Sequence, residues 1–199
     1  MPPIRRLLIA NRGEIALRIA RTARERGIQT FAVYSPEDRE LAAGYGADAL
    51  VALEGRGAAC YLDVDAIVHA ALVAGCDAVH PGYGFLSESA EFVQACHAAG
   101  LGFIGPGPDA LALFGDKARA RALATQENVP IVPGIPAPAS VDDVRAFLAA
   151  QPEGKSILLK AVCGGGGRGM RRIDPGDDVE AAFARCASEA ERAFGDGAL

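Results

Sequence analysis

Short apolar runs alternate with longer stretches of helical period through the first hundred residues, and that alternation predicts a parallel α/β sheet. Leu7-Leu8-Ile9-Ala10 reads as a first buried strand, Thr30 to Tyr34 as a second and Ala49 to Leu53 as a weaker third. Between the first two, Ile15 to Arg26 has helical spacing, with Ile15, Ile19 and Leu17/Ala20 expected on the inner side and Gly27 as its stop. Asp63 should cap a helix that runs to Ala74 and ends at Gly75. Ala78-Val79-His80 is the next strand, followed by a Pro/Gly loop, a helix from Ser89 to Ala99 and a short strand at Phe103-Ile104.

Beyond Gly105-Pro106-Gly107-Pro108 the pattern changes. Asp109 to Phe114 and Lys117 to Glu127 are helical, and the Pro/Ala-rich stretch from Pro130 to Ser140 should be extended. A smaller unit follows: helix Val141 to Ala150, strand Ile157 to Lys160, a glycine loop, strand Met170 to Ile173 and helix Asp177 to Phe194. A further strand is expected just after Gly195-Asp196-Gly197. The domain boundary falls near 115, which gives units 1–115 and 131–199 joined by a bridging helix over 116–130.

Composition narrows the class. Of 199 residues 50% are apolar, but 40 are Ala and Trp is absent, so the core should be built on Leu, Ile and Val with closely packed helices. No apolar run approaches the ~20 residues that span a bilayer, and no leader pattern opens the chain. The net charge of −5 argues against a nucleic-acid groove. Five Cys without a C-x-x-C read as reduced thiols of a cytoplasmic protein, and three scattered His do not make a metal centre.

The stretch Lys160-Ala161-Val162-Cys163-Gly164-Gly165-Gly166-Gly167-Arg168-Gly169-Met170 carries the most chemistry. Successive glycine N–H groups can converge on an anion with no Cβ in the way. Lys160 and Arg168 would add positive charge. The flanks read strand–strand, so this is no Walker A loop but a hairpin able to close over a nucleotide; a flexible surface turn is the alternative. With 17 Arg and only three Lys, the placing of Lys117 after Gly115-Asp116 and of Lys160 at the loop mouth supports a phosphate site, whereas Lys155 reads as surface.

Two further stretches are less specific. Ala10-Asn11-Arg12-Gly13-Glu14-Ile15 sits where a dinucleotide fold carries G-x-G-x-x-G, but with one glycine it is not an NAD site; a turn held by an Arg12–Glu14 pair is the structural expectation. His80-Pro81-Gly82-Tyr83-Gly84-Phe85-Leu86-Ser87-Glu88 follows a strand at the edge where open α/β sheets bind ligands. Tyr83 could wall a ring-shaped ligand, or Phe85 and Leu86 could plug the core with His80 a satisfied histidine. Ser89 and its neighbours read as a helix cap rather than a hydrolase nucleophile.

Together the A-N-R-G-E-I-A run at 10–16, the H-P-G-Y-G-F-L-S-E run at 80–88, Phe103-Ile104-Gly105-Pro106, Gly115-Asp116-Lys117 and the glycine loop ending Arg168-Gly169-Met170 resemble, in that order, the N-terminal part of biotin carboxylase. The resemblance implies a Rossmann-like pre-ATP-grasp domain followed by a partial ATP-grasp lid over 131–199. It implies a ligase that forms carboxyphosphate from ATP and bicarbonate and carboxylates biotin on a carrier protein. Lys117, Lys160, Gly166 and Gly167 would bind ATP, Tyr83 would lie beside the biotin ureido ring, and Arg18, Arg21 and Glu25 resemble positions near a homodimer contact. A biotin carboxyl carrier and a carboxyltransferase would be the partners. The chain departs from the family in having Val162-Cys163 before four glycines, where a Cβ at 163 could slow flap closure. It also has no counterpart of the later half, which in the family supplies Mg²⁺ carboxylates, bicarbonate ligands and the general base. No catalytic residue and no metal ligand is therefore assigned, and the isolated chain is expected not to carboxylate and to bind ATP weakly if at all. A non-catalytic binding or dimerisation module, and another ATP-grasp ligase such as a carbamoyl-phosphate synthetase, remain the alternatives.

Overall fold

The computed structural model describes residues 3–135, 138–163 and 169–199. It divides into two compact units, Met1–Gly115 and Asp116–Leu199.

The first unit is built on a five-stranded parallel sheet in the order β3-β2-β1-β4-β5. Its strands are β1 (Arg6–Ile9), β2 (Gln29–Tyr34), β3 (Ala49–Ala52), β4 (Ala78–His80) and β5 (Gly102–Phe103). β1 and β2 read as continuous apolar runs because both sheet faces are covered. Leu8, Phe31, Val33, Val79 and Phe103 point to one face, against Ile67 and Ala71 of α3 (Val64–Val73) and Phe92, Val93 and Cys96 of the Ala90–Ala98 helix. Leu7, Ile9, Ala32 and Ala78 point to the other, against α1 (Gly13–Glu25). The sheet is therefore doubly wound, as the alternation of elements implied.

Helix ends follow local chemistry. Asp63 accepts from the Ala66 amide at 2.9 Å and Ser89 from the Phe92 amide at 3.1 Å, each satisfying a first-turn N–H. Gly27 closes α1 with φ of +69°. The expectation that Leu17 faces inward is corrected: it is 44% exposed. The buried stripe is Ala16, Ile19, Ala20 and Ala23, and Leu17 lies a helical step of 100° off it. A five-residue helix at Arg39–Ala43 and 3₁₀ turns at Pro36–Asp38 and Gly57–Tyr61 were not expected from sequence. They are too short to display a period, and they exist because tertiary packing holds Ala42, Cys60 and Tyr61 buried.

In the second unit β6 (Ile157–Lys160) and β7 (Met170–Ile173) form an antiparallel hairpin in which Lys160 pairs with Met170. Leu159 and Ile173 face a core shared with Val144 of the Val141–Ala149 helix and with Val179, Cys186 and Ala190 of the Val179–Phe194 helix. Ser140 and Asp143 form a reciprocal capping box at the start of the first of these helices. A helix over Lys117–Gln126 opens this unit, its first amides taken by the Asp116 carboxylate at 2.9 and 3.0 Å. No helix among the described residues is long and apolar enough to cross a membrane.

Candidate functional site

In the second unit the chemistry gathers at the stem of the glycine loop. Antiparallel alternation turns Leu159 into the core and leaves Lys160 on the outer face of the hairpin, beside the exposed side chains of Leu158 and Met170. The stem closes where the Ala161 amide donates to the Gly169 carbonyl at 2.7 Å. Gly169 has φ of +65°, and a Cβ there would stand 2.8 Å from that of Ala161, so the position demands glycine.

Lys117 reaches this stem across 45 residues of sequence: its Nζ donates to the Val162 carbonyl at 3.0 Å. An ammonium from the first turn of one helix is thus held two residues past Lys160, at the entry to the loop. The loop itself, with Gly166, Gly167 and Arg168, lies outside the described residues. Cys163 is exposed and donates to the Asp196 carboxylate at 3.2 Å, and this hydrogen bond pushes the thiol above its ordinary value. Among the described residues only Phe85 and Asn128 are non-glycine residues with positive φ, so the Cβ of Cys163 is accommodated by an ordinary backbone.

In the first unit the sheet order reverses between β1 and β4, so their carboxyl ends flank the switch point where open α/β sheets usually leave a crevice. Here that crevice is tied shut. The buried Asn11 donates from Nδ2 to the carbonyls of Pro81 at 2.6 Å and Tyr83 at 2.9 Å, and its Oδ1 accepts from the Arg12 amide at 2.8 Å. Gly82 must be glycine, since its φ is +68° and a Cβ would come within 2.6 Å of the Asn11 amide. Gly84 at +66° and Phe85 at +44° continue the left-handed turn, which throws Tyr83 outward. Tyr83 is 62% exposed, and its hydroxyl donates to Glu14 Oε2 at 3.2 Å.

The expected Arg12–Glu14 pair is not formed. Arg12 pairs instead with Asp38 at 2.8 Å, and its guanidinium lies 5.5 Å from the Tyr61 ring and 5.7 Å from that of Phe85. Gly13, at φ of +68°, turns the chain between Arg12 and the helix, so the two side chains leave in different directions. Asp38 also accepts from Ser35 Oγ and the Tyr61 hydroxyl, and the Arg12 hydrogen bond holds its carboxyl below the usual range. Burial pushes the Tyr61 phenol up to about 12. Phe85 stacks on Tyr61 at 5.1 Å and Leu86 is buried, so both pack against the core, while Tyr83 alone of the loop's aromatics faces out. His80 is half-buried with Nδ1 accepting from the Gly82 amide at 3.0 Å; burial holds its pKa down, as for a satisfied neutral histidine. Arg18, Arg21 and Glu25 lie exposed on α1, with Arg18 3.8 Å from Glu14.

The closure by Asn11 and the Arg12–Asp38–Tyr61 cluster are what the sequence did not disclose. Their partners are 23 to 72 residues apart, and no local spacing marks them.

Two family models cover the chain: "Biotin carboxylase, N-terminal domain" over residues 3–111 and "Carbamoyl-phosphate synthase L chain, ATP binding domain" over 116–199. Pyruvate carboxylase 1 of Caenorhabditis elegans is 46% identical over 98% of this chain, which spans 17% of that enzyme's length. Among solved structures, the biotin carboxylase of Campylobacter jejuni in complex with β,γ-ATP superposes with a TM-score of 0.88 at 42% identity, over 98% of this chain and 44% of that one. The biotin carboxylase domain dimer of the Hydrogenobacter thermophilus 2-oxoglutarate carboxylase, with MgADP, ADP and bicarbonate, gives 0.89 at 36% identity over 100% and 44%. The first of these models matches more than half of the chain, and the chain belongs to the biotin carboxylase family.

Proposed function

We propose that these residues form the nucleotide-binding and part of the biotin-binding surface of an ATP-dependent biotin carboxylase. In that reaction a bicarbonate oxygen attacks the γ-phosphorus and ADP leaves; the carboxyphosphate so formed breaks into CO₂ and inorganic phosphate, the phosphate takes up the N1′ proton of carrier-bound biotin, and N1′ bonds to the CO₂ carbon. The observation that carries the proposal is the hold of Lys117 on the Val162 carbonyl, which places an ammonium at the mouth of a glycine loop that Lys160 also flanks. Two compact cations at the entry to a glycine-rich sequence suit a triphosphate, since successive glycine amides are able to converge on an anion. The exposed Leu158 and Met170 on the same hairpin face as Lys160 offer apolar cover to a purine.

Within this reading Lys117, Lys160, Gly166 and Gly167 bind ATP, and Tyr83 lies beside the biotin ureido ring. Residues 1–115 form the pre-ATP-grasp domain, 116–130 the bridging helix and 131–199 the lid. Arg18, Arg21 and Glu25 belong to a homodimer contact, and the partners are a biotin carboxyl carrier and a carboxyltransferase. The five free thiols suit a reducing compartment, and a cytoplasmic location is part of the proposal. Phosphoryl transfer needs metal ions that neutralise phosphate charge. Among the described residues no group of three or more His, Cys, Asp or Glu is placed to hold one, so no step through Mg²⁺ is assigned to them. The isolated chain is expected to bind nucleotide only weakly, and not to release ADP in response to biotin and bicarbonate.

The test is a ¹⁵N-NMR titration of the 199-residue chain with millimolar ATP. Shifts should concentrate at Lys117, 160–170 and the start of the Lys117–Gln126 helix, and Lys117→Gln and Lys160→Gln should each weaken binding at least fivefold. An unchanged spectrum, or shifts that both variants leave intact, would refute it.

A further inference from the structure

The side chain of Tyr83 is fixed at one end by its backbone and at the other by a carboxylate. Its carbonyl accepts from Asn11 at 2.9 Å, and the left-handed residues Gly82, Gly84 and Phe85 set the direction in which the side chain leaves. Between backbone and tip the residue is 62% exposed. The hydroxyl donates to Glu14 Oε2 at 3.2 Å, across 69 residues of sequence.

Glu14 is itself delivered by a fixed backbone. The Gly13 amide donates to the Tyr45 hydroxyl at 2.8 Å, Gly13 turns the chain at φ of +68°, and Glu14 then enters the first turn of α1. Its two oxygens are divided. Oε2 faces the phenol, whereas Oε1 lies 3.8 Å from Arg18 Nε, an ion-pair distance rather than a hydrogen bond. A carboxylate accepts and does not donate, so the hydrogen between Glu14 and Tyr83 belongs to the phenol. With that hydrogen committed, the lone pairs of the phenol oxygen are left to accept from a ligand. A cyclic urea such as the ureido ring of biotin offers both N–H donors and a carbonyl acceptor. A phenol tied to Glu14 suits the N–H.

We propose that Glu14 is the positioning residue for Tyr83: its carboxylate holds the phenol in one orientation and makes the phenol oxygen an acceptor for a ureido N–H. The inference rests on the assignment of Tyr83 to the biotin ureido ring and adds the residue that sets the polarity of that contact. Glu14 acts through Tyr83 and not on the reacting atoms. Both side chains are exposed, and a ring laid over them would exclude water and strengthen the bond between them. The competing role for Glu14 is that of a first-turn acid facing the helix dipole. The two roles differ in what they require, since the dipole needs charge and the phenol needs reach.

The 199-residue chain, labelled with ¹³C at the tyrosine ε carbons, is titrated with free biotin; the Tyr83 signal among those of the four tyrosines is the one lost in Tyr83→Phe. Glu14→Asp keeps the charge but shortens the arm by one methylene, too short for a contact already at 3.2 Å, and should weaken binding about fivefold, the loss of about one hydrogen bond. Glu14→Gln keeps the reach and an acceptor oxygen and should stay within about twofold of the unaltered chain. Tyr83→Phe should cost as much as Glu14→Asp, and the two together no more than either alone. In the unaltered chain 2-imidazolidinone, a cyclic urea, should displace biotin at lower concentration than cyclopentanone, which has the carbonyl without the N–H groups. Should Glu14→Asp fail to fold, this competition still decides the polarity. Retained binding in Glu14→Asp with loss in Glu14→Gln would make Glu14 a helix-dipole charge and overturn the proposal. Additive losses in the double variant, or equal displacement by the two rings, overturn it as well. A Tyr83 signal that biotin leaves unmoved in the unaltered chain would instead overturn the assignment of Tyr83 itself, and the inference with it.

Discussion

Asn11 is the residue on which the shape of the Tyr83 loop depends, and Asn11→Ala tests that directly. The side chain is 2% exposed and makes three hydrogen bonds, to the Pro81 and Tyr83 carbonyls and from the Arg12 amide. Truncation leaves all three backbone groups without that partner in a site closed to bulk solvent. At about 1 kcal/mol per bond the expected loss is about 3 kcal/mol. For a unit of about this size each kcal/mol moves Tm by about 4 °C, so the first unit should melt about 12 °C lower. The assay is differential scanning calorimetry of the 199-residue chain, which separates transitions that a single two-state fit would merge. Asn11→Asp is the control for shape: it keeps the volume and the Oδ1 acceptor but turns a second oxygen toward two carbonyls, so it should be destabilised at least as much. Gly82→Ala adds a steric arm, with a Cβ 2.6 Å from the Asn11 amide. Its cost should fall in the Asn11→Ala background, leaving the φ penalty of about 1–2 kcal/mol and the tight 3.1 Å approach to the Cβ of residue 11. A drop of under 3 °C for Asn11→Ala, or wild-type stability in Asn11→Asp, would show that those carbonyls need no side-chain donor and would refute the account of the closed switch point.

Two other outcomes follow from the electrostatics. Arg12 lowers the folded pKa of Asp38, so stability from that pair is complete above the unfolded carboxyl value, near 4, and is lost as pH falls through the folded value. Asp38→Asn should cost about 1–2 kcal/mol at pH 7, discounted for the partly exposed Arg12, and should flatten the acid side of a Tm-against-pH curve; an unchanged acid side would contradict the pairing. Cys163 should be the cysteine that iodoacetamide labels in the folded chain, since the other four are buried, and Asp196→Asn should speed its labelling severalfold at pH 7.5 by letting the thiolate form more readily. Mass-spectrometric time courses read both, and slower labelling in the variant would contradict the assigned direction.

The elements themselves were largely legible in the chain. β6 and β7 begin and end where the apolar runs flanking the glycine loop do, and α1, α3 and the Ala90–Ala98 helix stop within a residue or two of Gly27, Gly75 and Gly100. Burial on both faces writes itself as unbroken Leu, Ile and Val, and a left-handed stop demands a residue without a Cβ. The order of the short motifs along the chain likewise carried the family, because each records a local backbone requirement. What only the tertiary structure decided is the set of partners. Arg12 chose Asp38 over its near neighbour Glu14 because Gly13 turns the chain between them and β2 delivers Asp38 beside Tyr61. Asn11 closes the switch point because parallel pairing of β1 with β4 brings residue 11 against residues 81–83. Lys117 meets Val162 by packing alone. Contacts across 26 to 72 residues leave no mark in local spacing, since the chain between them sets only that they can meet, and the fold sets that they do.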